Sequence, residues 1–487
     1  MTQQHLPPPD TSFKALFKLG GPIFIANISI IGSGTIDTIM AGRLGTEHLA
    51  AIALGLAATI CVNMAIIGIL QSLSPICGHH FGAREYPKIG EALQQNIWLG
   101  IFLACIGVPL LLWTDLWLGL GKPTETVAEM AAGYLFFTAL SQPFALFART
   151  FVSLNAALSR PNITMWISLA TLVLKAPVNG VFMYGWLGFP AMGGAGAGLS
   201  FALMNVLSFV LFYIIWRTDS FYDKFRAPKL SLPNWALIKE QLHIGIPIGL
   251  STFFEVSSFT GMAILVSRLG AETISAHQIV ANVTSMCYMM PLSLGIATTV
   301  LISQSLGARW QSVAYSVLKR SLKLALILSI GVITILYFAR EQILNFYSTD
   351  PKVVALGVSI LMFGCFYHVF DALQCVGSFA MRGYRVTTMP MIIYGIMLWG
   401  VGFIGGYYMC FHGEAFGGPY GVYGFWGATT LGLILTGICL SIMALLIGRH
   451  IAKNDEHSAE EIARALEESV HGVLTAKSVS YTHLTLP

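Results

Sequence analysis

Twelve apolar segments follow one another along this chain, each long enough to cross a lipid bilayer. Crossing the hydrocarbon takes about 20 predominantly apolar residues in a helix. Such segments fall at 14–40, 47–78, 92–114, 130–156, 162–187, 195–216, 239–268, 275–305, 317–339, 353–382, 388–411 and 424–449. Inside a bilayer every backbone N–H and C=O has to be satisfied by the protein itself, and for continuous apolar segments of this length the α-helix does that. The expected fold class is therefore an all-α integral membrane protein with twelve transmembrane helices. Charge supports it: only 10% of the 487 residues are charged, against about 25% in soluble domains. Several segments exceed the minimum length, which predicts tilt or protrusion beyond the bilayer.

Lys and Arg residues set the orientation. Of the 27 basic residues, 20 lie in the termini, in the loops after the even-numbered spans, or in the span ends that adjoin them. The opposite loops hold five, namely Arg43, Lys122, Arg268, Arg340 and Lys352, while Arg149 and Lys175 fall within spans. The excess of positive charge marks the cytoplasmic side, so both termini are expected there. The polar N-terminus, 1–13, shows no cleavable signal pattern. Residues 217–238 read as a charged cytoplasmic linker. Residues 450–477 read as an amphipathic tail, with Ile462, Leu466, Val470 and Val473 at helical spacing. Residues 478–487 match nothing before them and are set aside as a non-native scar.

The linker divides a repeat. Gly20-Gly21-Pro22-Ile23 recurs as Gly245-Ile246-Pro247-Ile248, Arg43-Leu44-Gly45 as Arg268-Leu269-Gly270, and Gly82-Ala83-Arg84 as Gly307-Ala308-Arg309. All three pairs share one offset of 225 residues. Chance could supply one match; three in a single register indicate duplication. Six helices per half make both halves enter the membrane in the same sense. The expectation is two pseudo-symmetric six-helix lobes, 14–216 and 239–449, related by an axis along the membrane normal with a binding cavity between them.

Ionisable residues within spans are costly unless they face a partner or a cavity, so each is a functional candidate. Glu255 shares a helix face with Ser251 and Ser258, and Asp371 shares one with Tyr367, Gln374 and Ser378. Asp37 ends a stripe of Ser29 and Ser33, and Lys175 lies on a stripe with Ser168, Thr171 and Asn179. The competing reading for each is a polar group that holds helices together. The carboxylates do not follow the repeat, since Ile30 matches Glu255 and Met262 matches Asp37. Duplicated scaffolding would keep them symmetric, whereas a specialised cation site need not. A carboxylate in low dielectric can take up a proton or a cation and exchange one for the other, which is the chemistry of an antiporter.

The segment Asp37-Thr38-Ile39-Met40-Ala41-Gly42, the two Gly-Ala-Arg loops, Phe254-Glu255, and Tyr367 to Asp371 followed by Arg382-Gly383 carry a resemblance. The chain resembles the multidrug and toxic compound extrusion (MATE) family, of the NorM type, over residues 10–450. The resemblance implies a secondary transporter of the bacterial inner membrane. It would export small, bulky, cationic or aromatic compounds against entry of Na⁺ or H⁺, with no other cofactor and no nucleic acid partner, as a monomer in lipid. It implies a cation site at Glu255 and Asp371, with Tyr367 and Tyr288 as cation contacts, and a polar cluster of the first lobe at Asp37 and Asn179. Lys175 departs from the family pattern, where a neutral polar residue is usual. It would either neutralise Asp37 in place of a mobile cation, or stand deprotonated, or reach out to water.

Weaker candidates complete the set. Asp350 and Gln278 are candidate substrate contacts, with helix capping the alternative for Asp350. His368 lies three residues before Asp371 and reads as a packing residue or a proton relay. The eight cysteines show no paired or metal-ligand spacing. Two rival functions remain: a lipid-linked oligosaccharide flippase, which would call for a more basic cavity, and an intramembrane enzyme. For the enzyme the chain offers no His-Glu-x-x-His motif and no aspartate-rich pair.

Overall fold

The computed structural model describes residues 10–121, 123–226 and 231–455, and the expected tail helix and terminal scar lie outside these residues. Twelve helices among the described residues are long and apolar enough to cross a membrane. They are α1 (Phe13–Leu44), α2 (Thr46–Gly82), α3 (Tyr86–Leu112), α4 (Glu125–Ala157), α5 (Pro161–Tyr184), α6 (Gly193–Thr218), α7 (Trp235–Leu269), α8 (Ala271–Gly307), α9 (Gln311–Tyr347), α10 (Pro351–Gly383), α11 (Thr388–Phe411) and α12 (Gly421–Ala452). The described residues contain no strand. Large apolar side chains such as Leu140, Val173, Ile335, Phe338 and Phe366 are exposed on these helices, as a lipid-facing surface requires. The longest helices, α2, α8 and α9, have 37 residues, about 55 Å at 1.5 Å per residue, and so exceed a hydrocarbon core of about 30 Å.

The duplication is written into the backbone. Gly45 caps α2 and Gly270 caps α8, with φ of 144° and 105° respectively. Arg84 and Arg309, the last residues of the two Gly-Ala-Arg loops, both have positive φ, at 58° and 65°. Ser159 and Arg385, which follow α4 and α10, do the same at 59° and 60°. At all four sites the next amide reaches back five residues, as in Glu85 to His80, Arg160 to Asn155, Trp310 to Ser305 and Val386 to Met381. This is the left-handed Schellman ending, which satisfies carbonyls that a helix end would otherwise leave open.

The described residues form two compact units by packing. One comprises residues 22–77 and 86–253, and the other takes residues 10–21, 78–85 and 254–455. Three helices, α1, α2 and α7, are therefore divided between them. In the first unit, α2, α3 and α4 enclose an apolar core that includes Val62, Ile66, Leu70, Leu99, Leu103, Leu135 and Leu146. In the second, α10 packs against α8, α9 and α12 and is buried almost continuously from Asp371 to Gly383. Within that unit the two repeated loops meet. A Cβ on Gly82 would collide with the Gln304 carbonyl, and one on Gly307 with the His79 carbonyl, so both positions require glycine. In the same unit α11 is π-helical from Tyr394 to Ile404, a form that recurs where a helix is tuned for function.

Candidate functional site

Glu255 of α7 and Asp371 of α10 are brought together in the second unit, joined by the amide of Gln374. Gln374 Nε2 donates to Glu255 Oε1 at 3.0 Å and to Asp371 Oδ1 at 3.1 Å. Gln374 lies one turn after Asp371 on α10, so the helix itself fixes the second contact. The Tyr394 hydroxyl, from the start of the π-helical stretch of α11, donates to Gln374 Oε1. That bond settles which way the amide faces: its oxygen is taken, and its NH₂ is turned to the two carboxylates. Tyr288 of α8 donates its hydroxyl to Glu255 Oε1 at 2.7 Å. Asp371 and Gln374 are 6% and 0% exposed. Glu255 Oε2 and Asp371 Oδ2 make no hydrogen bond among the described residues. Each carboxylate is thus anchored through one oxygen, and the other is chemically able to take a proton or a cation.

Tyr367 lies on the same helix as Asp371. It is buried one turn before Asp371, yet it bonds to neither carboxylate among the described residues. Its ring stacks on Trp426 of α12 with centroids 6.0 Å apart and 20° between planes. The Trp426 indole N–H in turn donates to His277 Nδ1 at 3.2 Å. The serines beside Glu255 do not join the network. The Ser251 hydroxyl donates to the Pro247 carbonyl and that of Ser258 to the Glu255 carbonyl, so both serve their own helix. His368 is buried, with Nε2 unpaired among the described residues, and it bonds to neither carboxylate.

The polar residues of the first unit form a second cluster. Asn179 Nδ2 of α5 donates to Asp37 Oδ1 of α1 at 2.7 Å. Lys175 Nζ, one turn earlier on α5, lies 3.1 Å from the same oxygen. Lys175, Asn179 and Asp37 are 1%, 0% and 6% exposed. A lysine so enclosed does not reach out to water, which removes that alternative.

The MatE family matches this chain over residues 22–181 and 247–408. The two stretches begin 225 residues apart, the same offset as the repeated motifs. The chain belongs to the MATE family. A relative named NorM from Aromatoleum aromaticum is 36% identical, covering 91% of this chain and 96% of its own length. The multidrug resistance protein MdtK of Proteus mirabilis is 31% identical, covering 88% and 94%. Among solved structures, an outward-facing multidrug resistance MATE family transporter of the MOP superfamily aligns with a TM-score of 0.83 at 16% identity, over 93% of this chain and all of its own. The MATE transporter VcmN of Vibrio cholerae in its bent form aligns at 0.78 and 16% identity, over 90% and 98%. At that identity the structural likeness speaks for the fold alone. This MATE protein is a multi-pass membrane transporter, and the enzyme reading is set aside.

The two weaker candidates of this transporter bond to neither cluster among the described residues. Asp350 caps α10, its Oδ1 accepting from the Lys352 amide at 2.9 Å. Gln278 is exposed on α8 and lines a recess with Asn282, Ser285 and Tyr347. Residues that sequence reasoning did not single out are Gln374, Tyr394, Trp426 and His277. Gln374 stood in the polar stripe of Asp371, and that stripe was the one signal available. Tyr394 and Trp426 sit in apolar runs where an aromatic ring is ordinary, and only the structure shows what their polar atoms touch.

Proposed function

We propose that this MATE transporter exports bulky cationic or aromatic organic compounds in exchange for entering Na⁺ or H⁺, and that Glu255 and Asp371 carry the exchange. The observation behind the reading is the shared Gln374 amide, which gathers two carboxylates from different helices and leaves one oxygen of each unengaged. Two such groups repel each other when both are ionised, and a bound proton or Na⁺ removes that repulsion. An organic cation drawn to the same negative charge competes with the bound ion. By thermodynamic reciprocity each then weakens the other's binding by the same factor. With Gln374 and Tyr288 holding one oxygen of Glu255, the site has a fixed frame and a variable occupant.

The same reading places the protein in the bacterial cytoplasmic membrane with both termini inside, as its basic loops favour. Alternating access between the two repeated lobes would carry the site from one face to the other. The test is efflux of a fluorescent organic cation from liposomes under separately imposed Na⁺ and pH gradients, comparing the wild type with Glu255→Gln. Gradient-driven movement by the wild type that is lost in the variant supports antiport and names the ion. Equal transport by both proteins overturns the assignment, and no movement under either gradient makes the flippase reading the next to test.

A further inference from the structure

A different arrangement surrounds the carboxylate of the first unit. Glu255 and Asp371 are held by hydrogen bonds from neutral groups, whereas Asp37 lies against an ammonium. Lys175 Nζ is 3.1 Å from Asp37 Oδ1. The same nitrogen lies 5.6 Å from the centroid of the Phe201 ring in α6, so the cation is held between a carboxylate and an aromatic face. Asn179, on the turn after Lys175, adds its amide to the same carboxylate oxygen at 2.7 Å. The other titratable group that acts on Asp37 is the buried phenol of Tyr134 in α4. Tyr184 of α5 spends its hydroxyl on the Met40 carbonyl at 2.7 Å. Among the described residues Asp37 therefore faces a single cationic side chain, and that one is almost wholly enclosed.

We infer that Lys175 is a built-in counter-ion: it occupies against Asp37 the place that a mobile cation would take, and so confines ion exchange to Glu255 and Asp371. An ammonium tethered beside the carboxylate competes with dissolved Na⁺ at a fixed and high effective concentration. Removing either partner of an enclosed pair leaves a charge uncompensated, which is far more costly than removing both. The pair thus sets how many cations one transport cycle uses, without moving any itself. This rests on the exchange reading for its transport readout, while the pairing can also be tested without transport.

The experiment compares wild type, Asp37→Asn, Lys175→Gln, Lys175→Arg and the Asp37→Asn/Lys175→Gln double variant in liposomes, measuring efflux rate and cations entering per substrate exported. Asp37→Asn strands the ammonium, and its efflux falls at least about ten-fold. Lys175→Gln strands the carboxylate, which then takes up a cation of its own, so transport steepens with cation concentration by one ion per cycle. The double variant returns to within about three-fold of wild type, since an enclosed pair removed together leaves no stranded charge, and it keeps the wild-type ion count. Lys175→Arg, which preserves the charge, also keeps that count. A double variant as inactive as Asp37→Asn, or Lys175→Gln with unchanged ion dependence, overturns the inference. Thermal unfolding of the same set, read as a double-mutant cycle, reports the pairing even if the wild type proves inert under both gradients. Additive losses there would also overturn it.

Discussion

Gln374 shows how much of the ion site depends on a residue with no charge of its own. One NH₂ group serves Glu255 and Asp371, and its carbonyl is held by Tyr394. Hydrogen bonds to charged groups contribute about 1.5–3 kcal/mol, and here they favour the empty, ionised carboxylates over the occupied ones, so Gln374→Ala should lower the cation concentration for half-maximal efflux by about ten-fold or more, by the standard relation of about 1.4 kcal/mol to a factor of ten. Cation titration of efflux checks this, and an unchanged midpoint would mean that the amide is mere packing. Tyr394→Phe removes only the bond that orients the amide, and the same titration should show a smaller shift in the same direction. At this scale the sequence revealed the carboxylates, because a charge inside an apolar run stands out. It hid Gln374 and Tyr394, because an amide or a phenol in a membrane helix is ordinary. Nor did it say where the Ser251 and Ser258 hydroxyls point: a shared face cannot tell a hydroxyl aimed at a neighbour from one folded back onto its own helix.

The elements carry the constraint that lets such a site be held. The two Gly-Ala-Arg loops press backbone on backbone at Gly82 and Gly307, and small residues at helix contacts are how membrane helices come close. Gly82→Ala or Gly307→Ala should destabilise the protein by about 1–3 kcal/mol, read as a lower unfolding temperature in detergent. Gly331→Ala, on α9 where a Cβ meets nothing within 4 Å, should leave it unchanged or slightly raised. The loop after α6 offers a pH test. Asp219 caps the short helix Ser220–Phe225 by accepting from the Phe221 amide at 2.9 Å, and it pairs with Arg160. The Phe221 amide and the Arg160 guanidinium hold the Asp219 carboxyl below its ordinary value of 3.8. Because the folded value is the lower one, its stabilisation is full above pH 3.8 and is lost as pH falls through the folded value. Asp219→Asn should therefore lower the unfolding temperature slightly at neutral pH, the side chains of the pair being 33% and 30% exposed and so partly screened by water, and the difference should shrink only below that pH. A difference that shrinks between pH 7 and 5 would contradict the assignment.

The existence and number of the helices were legible because twelve apolar runs leave little else to form. Their ends were less so: α3 begins at Tyr86, six residues before the apolar run, since Lys88 and Glu91 are charged yet helical. The π-helical turns of α11 were invisible, because hydropathy does not distinguish one hydrogen-bond register from another.

Across the whole molecule the duplication is legible at three levels: the motifs, the two stretches matched by the family, and the recurring positive-φ residues. Packing follows a different division, since the boundary between the two compact units falls inside α7, between Phe253 and Phe254. A sequence repeat records descent, while packing records which surfaces bury one another, and a long helix can belong to both units. Glu255 stands two residues past that boundary, on a helix shared between the units and in a network drawn from α7, α8, α10 and α11. The proposed exchange requires that substrate and coupling ion compete through this network. The most direct test loads the purified protein with radiolabelled Na⁺, or holds it in weakly buffered solution with a pH dye, and then adds an organic cation substrate. The account predicts release of bound Na⁺ or H⁺ from the wild type and none from Glu255→Gln/Asp371→Asn. Substrate binding that releases neither ion from the wild type, or releases as much from the variant, would contradict it.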